Sequence, residues 1–238
     1  MPRLDVELIP ILKDNYAFLL TDPETGTRAV VDPGEAGPVL ERLGGRKLDL
    51  VLITHHHADH IAGVEAVRAA TGAKVVGNPE DQAALPPLDL PVRPGQTLQV
   101  GAATGRVLDV PGHAHHHVAY AFDGHVFCGD VLFVMGCGRV AEGTFEQMWR
   151  SLNTLAALPD DTKVWCGHEY TLSNARFAES VTADDPALEA RVREIVALRE
   201  KGLPTVPSTI GQEKATNVFL RAGSGERFMI LRQAKDSF

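Results

Sequence analysis

The segment Thr54-His55-His56-His57-Ala58-Asp59-His60 packs four imidazoles and one carboxylate into seven residues. An apolar run, Leu50-Val51-Leu52-Ile53, precedes it and reads as a buried strand, and the amphipathic stretch from Ile61 to Ala70 follows it and reads as a helix. The motif therefore occupies a strand-to-helix loop. In an extended segment, residues two apart project to the same side, so His55 and His57 can close on one ion. Asp59 and His60 stand where the chain turns into the helix and can face a second ion. Borderline-soft divalent metals bind this mixture of imidazole nitrogen and carboxylate oxygen. The competing reading is a solvated His-rich turn, and the H-x-H-x-D-H spacing at a strand end argues against it.

Three later clusters stand at predicted strand ends, where a loop can face the first. In Val110-Pro111-Gly112-His113-Ala114-His115-His116-His117, His113 follows a tight Pro-Gly turn and is a candidate third ligand for the ion held by His55 and His57. In Phe127-Cys128-Gly129-Asp130, Gly129 permits close backbone approach and Asp130 can bridge two metals with its two oxygens. Cys166-Gly167-His168-Glu169-Tyr170 repeats the pattern of glycine then histidine. One such pair would be weak evidence; several after separate strands form a coherent metal-binding set.

Short β-rich runs punctuated by turns must position these loops. Val6 to Leu12, Ala17 to Thr21 and Arg28 to Val31 read as strands, the last two split by the turn Asp22-Pro23-Glu24-Thr25-Gly26. A helix is expected over Gly37 to Leu43, another ending near Gly72, and a short strand over Lys74 to Gly77. The Pro-rich stretch Leu85 to Pro94 reads as a surface crossing. Thr97 to Val100, Gly105 to Val110, Val118 to Phe122 and Val126 to Cys128 give a second set of strands, with Asp123-Gly124 as the hairpin turn between the last two. Thr144 and Gln147 form a capping-box pair opening a helix that Pro159 ends, and Lys163 to Cys166 is one more strand. Asp185 and Pro186 open a further helix, with Leu188, Val192, Ile195 and Val196 on one stripe. The expected fold is α/β: two sheets packed face to face with helices outside, plus a small helical C-terminal region.

With 238 residues, 44% hydrophobic and 23% charged, the chain has an ordinary globular composition. A formal charge of −8 argues against general nucleic-acid or anionic-membrane binding. The N-terminal stretch MPRLDVELIPIL lacks the apolar core of a leader peptide, and no apolar run is long enough to span a bilayer. Three cysteines, Cys128, Cys137 and Cys166, are too few for a disulfide framework. The expectation is a reduced, cytoplasmic monomer.

At this point the chain resembles the metallo-β-lactamase superfamily and, within it, glyoxalase II (hydroxyacylglutathione hydrolase). The resemblance spans nearly the whole chain: Lys13-Asp14-Asn15-Tyr16, Val31-Asp32-Pro33-Gly34, Thr54 to His60, Pro111-Gly112-His113, Gly129 to Phe133, Gly136-Cys137-Gly138-Arg139, Cys166 to Thr171, and Lys235-Asp236-Ser237-Phe238. It implies an αββα sandwich of two mixed sheets, divided into a catalytic domain over 1–168 and a helical substrate-binding region over 169–238, with one metal on His55, His57 and His113, a second on Asp59, His60 and His168, and Asp130 bridging them. The ions implied are two divalent cations, zinc first, with iron or manganese also accommodated. His56 points away, His115, His116 and His125 are surface or loop residues, and His117 and Asp32 support the ligands without binding metal.

The implied reaction is cleavage of S-D-lactoylglutathione to D-lactate and glutathione by a metal-bridging hydroxide, with Asp59 and Asp130 in the catalytic centre. Thiols ionise near about 8.5, so the leaving group needs no dedicated acid. Arg139, Tyr170, Arg232 and Lys235 match the family's glutathione-binding positions. Ala141 stands where the family commonly has a tyrosine, and Arg139 where lysine is frequent, which changes hydrogen-bond geometry while keeping charge. The rival readings are a mononuclear-iron persulfide dioxygenase of the same superfamily, a cysteine nucleophile, and a non-catalytic metal-binding protein. The intact ligand set favours the hydrolase.

Overall fold

The structure is a computed structural model. It describes residues 4–238, and the first three residues of the segment read above as lacking a leader lie outside the described residues. Strands β1 (Asp5–Ile11), β2 (Asn15–Thr21) and β3 (Arg28–Val31) form an antiparallel meander, and helix α1 (Ala36–Leu43) follows. Then come β4 (Leu50–Leu52), the short helices α2 (Ala58–Ile61) and α3 (Val64–Thr71), β5 (Lys74–Gly77) and β6 (Leu90–Pro91). The first sheet runs β1-β2-β3-β4-β5-β6, parallel from β3 onward. Strands β2 and β4 are covered on both faces, which is why they read as continuous apolar runs and do not alternate.

The second sheet takes β7 (Thr97–Val100), β8 (Ala103–Asp109), β9 (Val118–Phe122) and β10 (His125–Gly129). A small hairpin of β11 (Leu132–Phe133) and β12 (Gly136–Cys137), helix α4 (Phe145–Ala156) and β13 (Lys163–Cys166) follow. The chain ends with α5 (Thr171–Val181), α6 (Pro186–Glu200), β14 (Ser208–Thr209), α7 (Ile210–Thr216) and α8 (Gly225–Asp236). The sheet order is β14-β13-β10-β9-β8-β7, with β10 and β13 parallel and the other pairs antiparallel.

Both sheets are therefore mixed, as expected, and their inner faces share one core. Phe18 of the first sheet meets Phe127 at 5.7 Å and Trp165 at 5.5 Å between ring centroids. On the outer face of the first sheet, Leu19, Val30, Val51 and Val75 pack against Val39 and Leu43 of α1 and Val64 and Val67 of α3. Met148, Leu152 and Leu155 of α4 join the main core with Phe228 and Leu231 of α8. The capping box and the cap read in the sequence are formed: Thr144 with Gln147 opens α4, and Asp185 accepts from the Ala187 and Leu188 amides at the start of α6. The C-terminal region is not a loose appendage. Its β14 extends the second sheet, Glu213 accepts the Met135 amide at 2.8 Å, and Asn217 donates to the Gly136 carbonyl at 2.9 Å, pinning the β11–β12 hairpin.

Four local readings are corrected. The single helix expected from Ile61 breaks between α2 and α3 at Gly63, where a side chain would meet the backbone of Glu35 and Ala36 within 3 Å. The surface crossing of 85–94 contains β6, a two-residue edge strand that tolerates Pro91 because nothing pairs beyond it. Helices α5, α7 and α8 were not individually foreseen; Tyr170 at the start of α5 makes no side-chain cap bond, and α8 has a weakly segregated apolar face. His125 is neither surface nor loop. It is buried in β10, accepting from the Trp165 indole at 3.0 Å and stacked on Phe127.

Because Phe127 sits fully buried between the sheets, Phe127→Ala is expected to destabilise the metal-free protein by about 3–5 kcal/mol. Urea unfolding followed by tryptophan fluorescence checks this; a loss under about 1 kcal/mol would show that the two inner faces do not share a tightly packed core.

Candidate metal centre

All the ligand-type loops leave the sandwich at one edge, each just past a strand: Asp32 after β3, His55 to His60 after β4, His113 after β8, Asp130 after β10 and His168 after β13. Ligand atoms of His55, His57 and His113 lie within 4.8 Å of one another, and so do those of Asp59, His60 and His168. Asp130 stands between the two trios. Its Oδ1 is 3.3 Å from His60 Nε2, and its Oδ2 is 3.2 Å from His168 Nε2 and 3.5 Å from His113 Nε2. Two glycines allow this closeness. Gly129, at φ 47° beside an irregularity in the β10–β13 register, turns the chain so that Asp130 faces the histidines. A side chain at Gly167 would come within 2.6 Å of His60 Cε1.

Each ligand histidine has its second nitrogen engaged, which selects the tautomer and aims the first. His60 Nδ1 lies 3.0 Å from Asp32 Oδ2, His113 Nδ1 2.9 Å from the Arg139 carbonyl, and His168 Nδ1 3.2 Å from Asp14 Oδ1. His57 is turned the other way, with Nε2 3.0 Å from Glu142 Oε1 and Nδ1 2.9 Å from His113 Nε2. The Thr54 hydroxyl donates to Asp32 Oδ2 at 2.6 Å, so its lone pair is left to accept from His55 Nδ1 at 3.0 Å. Asp32 holds this arrangement in a left-handed backbone conformation, φ 48°, as the Thr54 amide also donates to it. Asn15 Nδ2 donates to Asp59 Oδ2 at 2.9 Å.

After this orientation, His55 Nε2, His60 Nε2 and Asp130 Oδ1 are buried with no hydrogen-bond partner among the described residues. His60 Nε2 and Asp130 Oδ1 face each other at 3.3 Å without hydrogen-bond geometry, and a buried polar atom left without a partner costs about 1–3 kcal/mol. Their convergence, together with an imidazole and carboxylate donor set, fits divalent cations. The protonation pattern divides the two trios. Burial pushes His55 well down and His113 down from the ordinary histidine value, so both stand neutral and ready to bind. Burial also opposes charge on His60 and His168, but Asp130 outweighs it for both, raising His60 and lifting His168 to about 9. The His168 hydrogen bond holds Asp59 below the usual carboxylate range, and His60 and His168 overcome burial to hold Asp130 there too.

The remaining candidates sort clearly. His56 points away from the ligands, toward Asp81 Oδ2 at 2.7 Å and Glu142 Oε1 at 3.0 Å. His117 is buried, stacked on His55 at 4.4 Å, and accepts the Asp130 amide on Nε2, so it supports the centre without facing it. His115 and His116 are exposed. Burial pushes the Cys128 thiol up to about 12, Cys137 to about 11 and Cys166 well up, which leaves none of them as a thiolate nucleophile at neutral pH. Glu142, Asp14 and Asn15 have orienting roles that residue type and spacing did not reveal. For Asp14 and Asn15 the available signal was their place in the Lys13-to-Tyr16 match; Glu142 carried none beyond its nearness to Arg139.

A cavity of about 420 Å³ opens beside the centre, with His57, Asp59, His113, Asp130 and His168 at its floor and Arg139, Tyr170, Arg232 and Lys235 on its walls. Tyr170 stacks on His168 at 4.5 Å, and burial pushes its phenol up to about 12, so it remains a hydrogen-bond donor. Lys235 Nζ contacts Ser173 Oγ at 2.6 Å, and Ala141 leaves its stretch of wall without a long side chain. Arg232 is buried and bonded to the Cys137 carbonyl and Asp236 at 2.8 Å each, which commits much of its guanidinium to holding α8 against β12.

Comparison with known proteins is consistent along the whole chain. The sequence profile of the metallo-beta-lactamase superfamily matches residues 13–168, and that of the hydroxyacylglutathione hydrolase C-terminus matches residues 169–238. A hydroxyacylglutathione hydrolase of Cereibacter sphaeroides is 49% identical over 99% of both chains. One from Methylococcus capsulatus is 51% identical, covering 94% of this chain and 89% of the relative. Among solved structures, ETHE1 from Myxococcus xanthus superposes with a TM-score of 0.74 at 28% identity, covering 97% of this chain and 90% of that one.

In the metal-free protein the raised His168 value makes the folded chain bind that proton more tightly than the unfolded chain. Its stabilisation is complete below the ordinary value of 6.5 and is lost as pH rises through about 9. Calorimetry in excess chelator should show the midpoint falling across that window and the fall shrinking in His168→Gln. A metal-free midpoint that climbs between those pH values contradicts the assigned pairing with Asp130 and Asp59.

Proposed function

The chain belongs to the hydroxyacylglutathione hydrolase family of the metallo-beta-lactamase superfamily and is a thioester hydrolase; we propose that it cleaves S-D-lactoylglutathione to D-lactate and glutathione at the centre built around Asp130. The observation that carries this reading is the Asp130 carboxylate, buried between two ligand trios with converging unpartnered atoms. His55, His57 and His113 would hold one divalent ion, Asp59, His60 and His168 a second, and Asp130 would bridge them. Zinc suits this donor set, and iron or manganese fits it too. When bound, the ions supply a water acidified toward a pKa of about 7 and a cationic environment for developing oxyanion charge.

The chain's own residues then have defined tasks. Asp59 is ionised at neutral pH, and besides holding the second ion it would accept a hydrogen bond from water at the centre and orient it. Asn15 keeps Asp59 Oδ2 in place. Tyr170, neutral at physiological pH, donates from beside His168. Arg139 and Lys235 supply the local positive charge that the two glutathione carboxylates need in a chain of net charge −8. Arg232 shapes this wall and offers its remaining N–H groups. The departing thiol, with a pKa near about 8.5, leaves as the thiolate without an acid. Residues 1–168 thus carry the metal centre, and 169–238 add substrate contacts from α5 and α8.

The three cysteines are buried and free; we take the chain to work as a reduced cytoplasmic monomer. No helix of the described residues is long and apolar enough to cross a membrane.

Metal analysis paired with a hydrolysis assay on S-D-lactoylglutathione tests the reading: two ions per active chain and thioester cleavage are expected. Fewer than two ions, with oxygen consumed on glutathione persulfide and no thioester cleaved, would overturn it. Asp130→Ala is expected to abolish metal retention and lower activity by more than about 100-fold, beyond the effect of an outer orienting residue. Lys235→Ala should raise KM about tenfold with kcat nearly unchanged, the loss of one charge-assisted hydrogen bond; an unchanged KM would remove Lys235 from the glutathione site.

A further inference from the structure

We propose that Glu142 is a positioning residue for the first ion: its carboxylate decides which nitrogen of His57 faces the centre and locks the 113–115 and 139–142 segments around that choice. The inference rests on the two-ion reading above and adds a determinant that acts on one ion alone.

His57 is the exception among the histidines of its trio. His55 and His113 have their Nδ1 atoms engaged by Thr54 and by the Arg139 carbonyl, leaving Nε2 for the metal. His57 presents Nδ1 to the centre, 2.9 Å from His113 Nε2, and turns Nε2 outward. Packing does not enforce this. The His57 side chain is 28% exposed, against 10% for His113 and 2% for His60. A ring with that much freedom can rotate and place the wrong nitrogen inward. Glu142 Oε1, 3.0 Å from His57 Nε2, accepts the outward N–H and so holds the proton on Nε2 and the lone pair on Nδ1.

The other oxygen of the same carboxylate is equally committed. Glu142 Oε2 accepts the backbone amide of His115 at 2.9 Å, two residues beyond the His113 ligand. Three residues before Glu142, the Arg139 carbonyl accepts from His113 Nδ1. One short segment therefore grips two of the three ligands of the first ion. The second trio is held from elsewhere: His60 by Asp32, His168 by Asp14 and Asp59 by Asn15. Loss of Glu142 should thus loosen one ion and spare the other.

The test uses the full chain loaded with cobalt(II), titrated with a competing chelator while the visible bands of the bound ion are followed. In Glu142→Ala one ion should bind as in the wild type and the other about 10–100-fold more weakly. Glu142→Gln, whose amide oxygen still accepts the His57 N–H without the charge, should fall between. Glu146→Ala, an exposed carboxylate removed from the neighbouring helix start, should leave both affinities unchanged. The urea midpoint of the metal-free protein should fall only slightly, and alike in both Glu142 variants, since each loses the carboxylate that binds the His115 amide; the selective loss is read on the ion. If Glu142→Ala weakens both ions equally or neither, or if Glu142→Gln is as impaired as Glu142→Ala and both unfold the metal-free protein at much lower urea, the proposal fails. A wild-type chain that cleaves no S-D-lactoylglutathione while Glu142→Ala still loses one ion selectively would sink the assigned reaction and leave the role of Glu142 standing.

Discussion

A single carboxylate sets the terms for the rest of this structure. Asp130 is buried among three imidazoles, with one oxygen lacking a hydrogen bond. An ionised group in such a place is costly unless opposite charge surrounds it on every side. In the metal-free chain, His60 and His168 take up protons and supply that charge; with cations in place, the ions supply it. Either way the group must be approached from several directions at once, and no single helix or strand can do this. It takes loops from five strand ends.

The sandwich meets that demand by geometry. Parallel pairing of β3, β4 and β5, and of β10 and β13, sends successive C-terminal strand ends to the same edge. The loops that follow them then converge without long excursions. Close convergence leaves no room for side chains at Gly129 and Gly167, and it forces Asp32 into a left-handed backbone conformation. Asp32 is held there by Thr54 and in turn orients His60. The strain lies beside the metal centre and is compensated by the hydrogen bonds it makes possible.

Much of the centre was legible because metal binding imposes residue types as well as positions. His55, His57, Asp59, His60, His113, Asp130 and His168 announce themselves as ligand types after apolar runs and glycines. The orienting shell is less visible. Asp14, Asn15 and Glu142 are ordinary polar residues in a turn, at a strand start and in a bend, and the partners they hold are 44 to 154 residues away. Nothing local distinguishes Glu142 from Glu146, four residues on; one carboxylate faces two histidines and the other faces solvent. His125 shows the opposite failure. A histidine next to a hairpin turn looks exposed, yet the alternation of β10 carries its ring into an aromatic stack with Phe127 and Trp165.

The sequence by itself determined the order of the main strands, the two-sheet fold, and the candidate ligand residues with their division into pairs along the His loop, because hydrophobic period and donor chemistry are properties of short segments. Only the tertiary structure decided which nitrogen each imidazole presents, that Asp130 lies between the trios, that the C-terminal helices wall a cavity beside them, and that Arg232 is half committed to the fold. Those outcomes depend on distances between atoms far apart in the chain, and such distances exist only after the two sheets have packed.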